Sequence, residues 1–246
     1  MRLCKPDARL CKCPDMCYNH KRGDYMKLLM NALIKYISGL VMLGLLLFPA
    51  AGTLGYMNAW LFIALLFVPM FFLGLFLFLK APELLKKRLN SREKESAQKG
   101  VVLAAALLFL AAFVVAGLDY RFGWSAVPTW LVAAASVLLL ASYALYAEVM
   151  RENAYLSRTV EVQQGQKVVD TGLYAIVRHP MYAVTILLFL SIPLVLGSWI
   201  SFIIFLAYPV VIIHRIKNEE AVLEQGLEGY KEYKAKVKYR LLPGIW

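Results

Sequence analysis

The apolar runs constrain this chain more than anything else in it. They recur at Ile37–Phe48, Ala59–Leu79, Val101–Leu118, Trp130–Ala147, Ala183–Leu196 and Trp199–Ile213. A membrane-spanning helix needs about 20 mainly apolar residues. The second and fourth runs reach that length, and the first and third reach it with their flanks. Hydrocarbon offers no partner to a backbone N–H or C=O, so such runs must be helical. With 61% hydrophobic residues and a mean hydropathy of +0.61, the chain lies outside the ~45–50% apolar range of soluble domains. The expected fold class is all-α: a polytopic membrane helix bundle of about six segments.

Charge orients that bundle. If all six runs cross, one side receives both termini, Lys80–Lys99, Glu148–Arg178 and everything after Ile213. With Lys35 counted at the edge of the first run, every Lys and Arg except Arg121 falls on that side. The positive-inside rule makes it cytoplasmic, so both termini are expected there. Orientation and lipid head groups therefore account for the net charge of +11 and leave no need for a nucleic-acid partner.

Three regions follow. Residues 1–25 read as a cytoplasmic, disordered arm that holds Cys4, Cys11, Cys13 and Cys17. Their spacing lacks a paired C-x2-C, so no metal is assigned and reduced thiols are expected. Met26 is a plausible start, and the arm is expected to be dispensable. Residues 26–150 carry four transmembrane helices that read as scaffold, since only Lys35 approaches a span as an ionisable group. Within them Pro49 and Pro69 are expected to kink helices, and Lys80–Lys99, with seven basic and three acidic residues, reads as a surface helix or a solvated charged loop. Residues 151–246 carry the chemistry.

That last region concentrates reactive side chains in Gly172-Leu-Tyr-Ala-Ile-Val-Arg-His-Pro-Met-Tyr182. Pro180 fixes its own φ and biases His179 away from the helical region, which holds Arg178 and His179 at the mouth of an apolar segment. Ala183–Leu196 has 14 residues, or about 21 Å of helix, short of the ~30 Å hydrocarbon core, and its length alone leaves open whether it crosses fully. Pro193 and Pro209 are expected to break the two arms around Leu196-Gly197-Ser198, giving a kinked hairpin beside a cavity. Beyond it, Arg215 and Glu219 are four apart on one helix face, with Glu220 and Leu223 on an adjacent stripe. No nucleophile elbow, phosphate loop, dinucleotide fingerprint or metal cluster is present. Guanidinium, imidazole, carboxylate and phenol groups beside apolar walls suit a polar cofactor from the cytosol and a lipid-like substrate from the bilayer.

These residues resemble the isoprenylcysteine carboxyl methyltransferase family, which is related to membrane phospholipid methyltransferases. The likeness rests on Gly172-x-Tyr-x3-Arg-His-Pro-x-Tyr, the hydrophobic hairpin, Arg215-x3-Glu-Glu-x2-Leu and Tyr230-x2-Tyr-x3-Val, over Asn153 to Trp246. It departs where Leu173 replaces a common Pro and where Ala183-Val184 replaces a frequent Gly. The resemblance implies an S-adenosylmethionine-dependent methyltransferase working at the cytoplasmic membrane face on a lipidic or prenylated substrate. It implies a cofactor site of Gln166, Lys167, Val168, Val169, Tyr174, His179, Pro180, Met181, Tyr182 and Glu220. It assigns substrate to Arg215 and Glu219, and places Arg178 with them as catalytic by neutralising nearby charge. A carboxylate acceptor would need no base, whereas an amine acceptor would make Glu219 or Glu220 the candidate base. The alternatives are a phospholipid or amine N-methyltransferase, an NADPH-dependent sterol-type reductase with a similar Arg-His-Pro-x-Tyr signature, and a non-enzymatic scaffold. The expected location is the cell (inner) membrane if the source is prokaryotic and the endoplasmic reticulum if it is eukaryotic.

Overall fold

A computed structural model describes residues 14–89, 96–157, 160 and 162–246, except for the side chains of 14–22, 24, 96 and 97. The expectations for the four cysteines and most of the N-terminal arm lie outside the described residues, as does the stretch 90–95 of the basic segment. The chain divides into two units, residues 1–39 and 40–246. The described part of the first belongs to helix α1 (Pro14–Ala51). There Met26, Met30, Ile34 and Ile37 are exposed, as apolar side chains facing lipid would be.

The second unit takes up the end of α1 and continues through α2 (Met57–Lys80), α3 (Pro82–Leu89), α4 (Ser96–Phe122) and α5 (Thr129–Glu152). An irregular segment then leads to a 3-10 turn at Gly172–Ala175. Helices α6 (Pro180–Leu196), α7 (Trp199–Phe205), α8 (Tyr208–Gly226) and α9 (Tyr230–Lys236) complete it. No strand occurs among the described residues.

Among the described residues, five stretches are long and apolar enough to cross a membrane: Tyr25–Ala51, Met57–Lys80, Gln98–Phe122, Thr129–Glu152 and Trp199–Gly226. The expected six segments thus resolve into five full-length spans and α6, which at 17 residues is about 26 Å long against a ~30 Å core. The hairpin turns at Gly197, whose φ of 83° suits a left-handed helix end. Gly197 N–H donates to Leu194 O and Ser198 N–H to Pro193 O. A Cβ on Gly197 would meet Asn58 Nδ2 at 2.6 Å and would be strained at that φ, so glycine is favoured on both counts.

Proline placement differs from expectation in both arms. Pro193 stays inside α6. The second arm breaks at Leu206-Ala207, and Pro209 sits in the first turn of α8. A proline there loses no hydrogen bond, because a first-turn N–H has no intrahelical acceptor. Pro209 therefore starts a helix.

Helix α5 packs along α6, and α4 against α7 and α8. Close approach is built in at Gly117, where a Cβ would fall 2.6 Å from Ala50 Cβ and 2.7 Å from Leu47 O. Small residues at such crossings let backbones meet, the usual device where lipid supplies no hydrophobic drive. At one end of the unit the α1–α2, α4–α5 and α6–α7 turns gather. Tyr56 O–H donates to Leu196 O, Tyr120 O–H to Gly55 O, and Ser198 O–H to Asp119. The other end, where α5 finishes and α6 starts, holds the site.

Candidate functional site

The start of α6 is set by its own sequence. Pro180 occupies the first helical position and His179 the N-cap, with φ −127° and ψ 59°, outside the helical region as the following proline requires. The His179 carbonyl accepts from Tyr182 N and Ala183 N. Its imidazole turns the other way, with Nε2 3.1 Å from Glu220 Oε1. Arg178 Nε donates to the same oxygen at 2.8 Å, and Arg240 Nε to Glu220 Oε2 at 3.0 Å. Glu220 is 3% exposed. One buried carboxylate is thus shared by two guanidinium groups and an imidazole, which is how a buried charge escapes its desolvation cost. The cluster keeps a surplus positive charge.

The chain after α9 completes this cluster. Arg178 N donates to Tyr239 O and His179 N to Arg240 O, both at 2.9 Å. Arg178 Nη1 reaches Val237 O and Lys238 O at 2.7 and 2.8 Å. Arg-His-Pro is therefore clamped by the C-terminal segment through main-chain groups.

Gly172 opens the motif with φ of 55°. Its missing side chain admits the Glu152 carboxylate, which accepts from Leu173 N at 2.9 and 3.2 Å. A Cβ there would lie 1.8 Å from Glu152 Oε1. The next turn carries Tyr174, whose hydroxyl accepts from Asn153 Nδ2 at 3.1 Å and whose carbonyl accepts from Tyr233 O–H at 2.7 Å. Burial pushes the Tyr174 phenol up to about 12, against the opposing pull of the Asn153 hydrogen bond. Burial likewise raises Tyr230 and Tyr233. All three phenols are neutral at physiological pH.

These elements surround a cavity of about 480 Å³, within the ~300–1,000 Å³ range of small-molecule sites. Gln166, Lys167, Val168, Val169 and Tyr174 line one wall, and Arg178, His179, Met181 and Tyr182 another. Arg215, Glu219 and Leu223 enter from α8. Pro180 and Glu220 lie outside the lining. Pro180 sets the helix start, and Glu220 holds the cluster behind the wall. Adjacent residues on a helix point about 100° apart, so Glu219 and Glu220 serve different surroundings. On the cavity side, Tyr182 O–H donates to Glu219 Oε2, while Arg215 Nε donates to the same phenol oxygen at 2.8 Å.

The cavity also has an apolar part that sequence reasoning missed. Val101, Val102, Ala105, Ala106 and Phe109 of α4 face Thr185 and Phe189 of α6 and Tyr208, Val211 and Ile212 of α8. Phe109 packs edge-on against Phe189 and Tyr208 at ring distances of 4.8 and 5.7 Å. An Ala/Val run reads alike whether it meets lipid or a cavity, so no signal marked it. Arg88 also lines the site, from the region read as scaffold, and Asn153 does so from the start of the region read as carrying the chemistry. Tyr230 and Tyr233 do so from α9, where the sequence marked them only through the Tyr230-x2-Tyr-x3-Val spacing. The Tyr230 hydroxyl is buried without a hydrogen-bond partner. Gln98, wholly buried at the start of α4, donates to Arg215 O at 3.1 Å. An amide at the edge of an apolar run was the one legible sign of that contact.

Residues 132–225 match the model of the isoprenylcysteine carboxyl methyltransferase (ICMT) family. That stretch takes in α5, the Arg-His-Pro motif, the hairpin and most of α8. Among curated proteins, the chain is 25% identical over 134 residues to a Delta(14)-sterol reductase of Methylotuvimicrobium alcaliphilum, covering 48% of this chain and 31% of that protein. It is 30% identical over 98 residues to the uncharacterized protein YpbQ of Bacillus subtilis, covering 39% of this chain and 58% of that protein. The matches thus span about a third of the first relative and somewhat over half of the second.

Proposed function

From a chain whose residues 132–225 carry the ICMT family's domain, we propose an integral membrane methyltransferase that uses S-adenosylmethionine on a lipidic or prenyl-type acceptor. The observation that carries this reading is a single cavity with a polar wall at the helix ends and an apolar extension between α4 and α8. A water-soluble donor and a membrane-borne acceptor could meet there. The residues suit the donor. Neutral tyrosine faces and the Glu219 carboxylate favour a sulfonium cation, and Gln166, Lys167 and Asn153 offer polar contacts to the rest.

When bound, S-adenosylmethionine would supply an electrophilic methyl group. Gln166–Val169, Tyr174, His179, Met181 and the Tyr182 ring would hold it, with Pro180 and Glu220 acting from behind. Arg215 would orient an acceptor carboxylate, an anion at pH 7 that needs no base. Arg178, fixed in its cluster, would add positive potential without moving. Glu219 would accept the proton of an amine acceptor if the substrate is of that kind. The aromatic wall of Phe109, Phe189 and Tyr208 would exclude water, in which a sulfonium's charge is too well solvated for fast transfer. By the charge bias of its loops, this end of the bundle is the cytoplasmic one.

A second reading has one specific support. The similarity to a Delta(14)-sterol reductase supports an NADPH-dependent reductase. Calorimetric titration of the purified protein with S-adenosylhomocysteine and with NADP separates the two. The methyltransferase reading expects the first to bind and the second not. NADP binding alone would replace it with the reductase reading, and binding of neither would leave a scaffold. Labelled transfer into membrane extract, followed by alkali, then distinguishes a base-labile ester from a stable N-methyl product.

A further inference from the structure

Resting on the methyltransferase reading, we infer that the Tyr182 hydroxyl positions Arg215 and Glu219, and that only the Tyr182 ring serves as cavity wall. Tyr182 lies in the first turn of α6, while Arg215 and Glu219 lie one turn apart on α8. The phenol oxygen accepts from Arg215 Nε at 2.8 Å, and its proton goes to Glu219 Oε2. The directions are forced, because a guanidinium can only donate and a carboxylate can only accept. A phenol has one proton, and here it is donated to the carboxylate in a hydrogen bond.

The hydroxyl therefore ties two flexible side chains to a rigid helix start. Without that tether, each would lose rotamer entropy on being ordered at the moment of reaction. Held, they are set beforehand, the usual source of orientation gains. The backbone beneath is held too, by Gln98 Nε2 on Arg215 O. The ring remains part of the wall, with its centroid 5.8 Å from that of His179. Wall and tether are separable by removing one oxygen.

Tyr182→Phe makes that separation. We expect S-adenosylhomocysteine affinity within about twofold of wild type and an unfolding midpoint close to it. Labelled methyl transfer to S-farnesylated cysteine or to phospholipid extract should fall tenfold or more at saturating donor. The double variant Tyr182→Phe/Glu219→Gln should be no slower than the worse single variant, because both changes remove one unit. A rate restored by excess donor, or penalties that multiply, would overturn the inference. A spectroscopic readout stands apart from turnover. The carboxylate stretch isolated by a wild-type-minus-Glu219→Gln infrared difference should shift in Tyr182→Phe, and an unshifted band would also overturn the inference. If the wild type binds no S-adenosylhomocysteine, the underlying reading fails first. If it binds while Tyr182→Phe transfers at the wild-type rate, the positioning role alone fails.

Discussion

Arg178 Nε lies 2.8 Å from Glu220 Oε1, and both side chains are almost fully shut off from solvent. The pair joins the Arg-His-Pro stretch to the helix that carries Arg215 and Glu219, and Arg240 adds the C-terminal segment to the same carboxylate. Removing the shared acceptor would leave cations buried without compensation, which typically costs about 3–5 kcal/mol. Glu220→Ala is therefore expected to lower stability by that amount. Its neighbour Glu219, with Tyr182 and the cavity in front of it, is expected to tolerate Gln structurally while methyl transfer drops about tenfold or more. Denaturant unfolding in detergent, with transfer measured on the same preparations, checks both. Equal destabilisation at the two positions would contradict the division of labour between adjacent glutamates.

Gly172 offers a second, sharper test. Its φ of 55° and the Glu152 carboxylate occupying the space of a Cβ leave no room for alanine. A left-handed non-glycine residue alone costs on the order of 1–3 kcal/mol. Alanine must also displace the carboxylate that accepts from Leu173 N, which shifts the turn carrying Tyr174. Gly172→Ala is expected to destabilise by about that amount and to weaken S-adenosylhomocysteine binding at least tenfold. Gly165, equally left-handed at φ 70° but with nothing near its Cβ position, serves as control. Alanine there should pay the backbone strain and leave affinity nearly intact.

The sequence announced the spans and the motif because each has a chemical signature. Leu, Val and Phe runs can only be helices in lipid, and Arg-His-Pro-x-Tyr is too polar and too ordered to be a generic flank. The clamping role of residues 237–240 was illegible for the opposite reason. They hold Arg178 and His179 through carbonyls of Val237, Lys238, Tyr239 and Arg240, and a main-chain acceptor has no side-chain code. The split between Glu219 and Glu220 followed from helix geometry only as a divergence. Which carboxylate faces the cavity depends on the rotation of α8, set by Tyr208, Ile212 and Ile216 packing into the core with Leu241. The Pro209 expectation failed because a proline's effect depends on its place in the helix, and periodicity could not place the break at Leu206-Ala207.

Gly117 tests the bundle away from the cavity. The atoms that a Cβ would strike, Ala50 Cβ and Leu47 O, belong to a packed helix crossing, where backbone cannot give way cheaply. Overpacking of this kind costs typically 1–3 kcal/mol. Gly117→Val is expected to lower the unfolding midpoint accordingly while leaving the folded fraction with wild-type S-adenosylhomocysteine affinity. Gly74, on α2 with open space around its Cβ position, should accept Val with little change.

Asp119 carries the last prediction. It is 1% exposed, and its carboxylate accepts from Ser125 N at 2.7 Å, from Ser125 O–H at 2.6 Å and from Ser198 O–H. Each serine oxygen is in turn an acceptor. Trp199 N donates to Ser125 Oγ and Ser201 N to Ser198 Oγ, both at 3.0 Å. Two N–H groups at the start of α7 thus lead through two hydroxyls to one carboxylate. Serines can serve both ends only because Asp119 takes their protons. Asparagine offers one acceptor and a competing donor, so Asp119→Asn must leave at least one partner unmade, at about 1–3 kcal/mol. Asp119→Ala removes every acceptor and should cost more. Ser198→Ala loses the α7 cap and one of the same bonds, so Asp119→Ala/Ser198→Ala should destabilise by clearly less than the sum of the single changes. Thermal unfolding of the four proteins in detergent gives the cycle. Because this latch sits at the end of the bundle away from the cavity, ligand affinity of the folded Asp119→Asn protein should match wild type. Lost affinity with stability unchanged would mean that the α6–α7 turn governs the shape of the site.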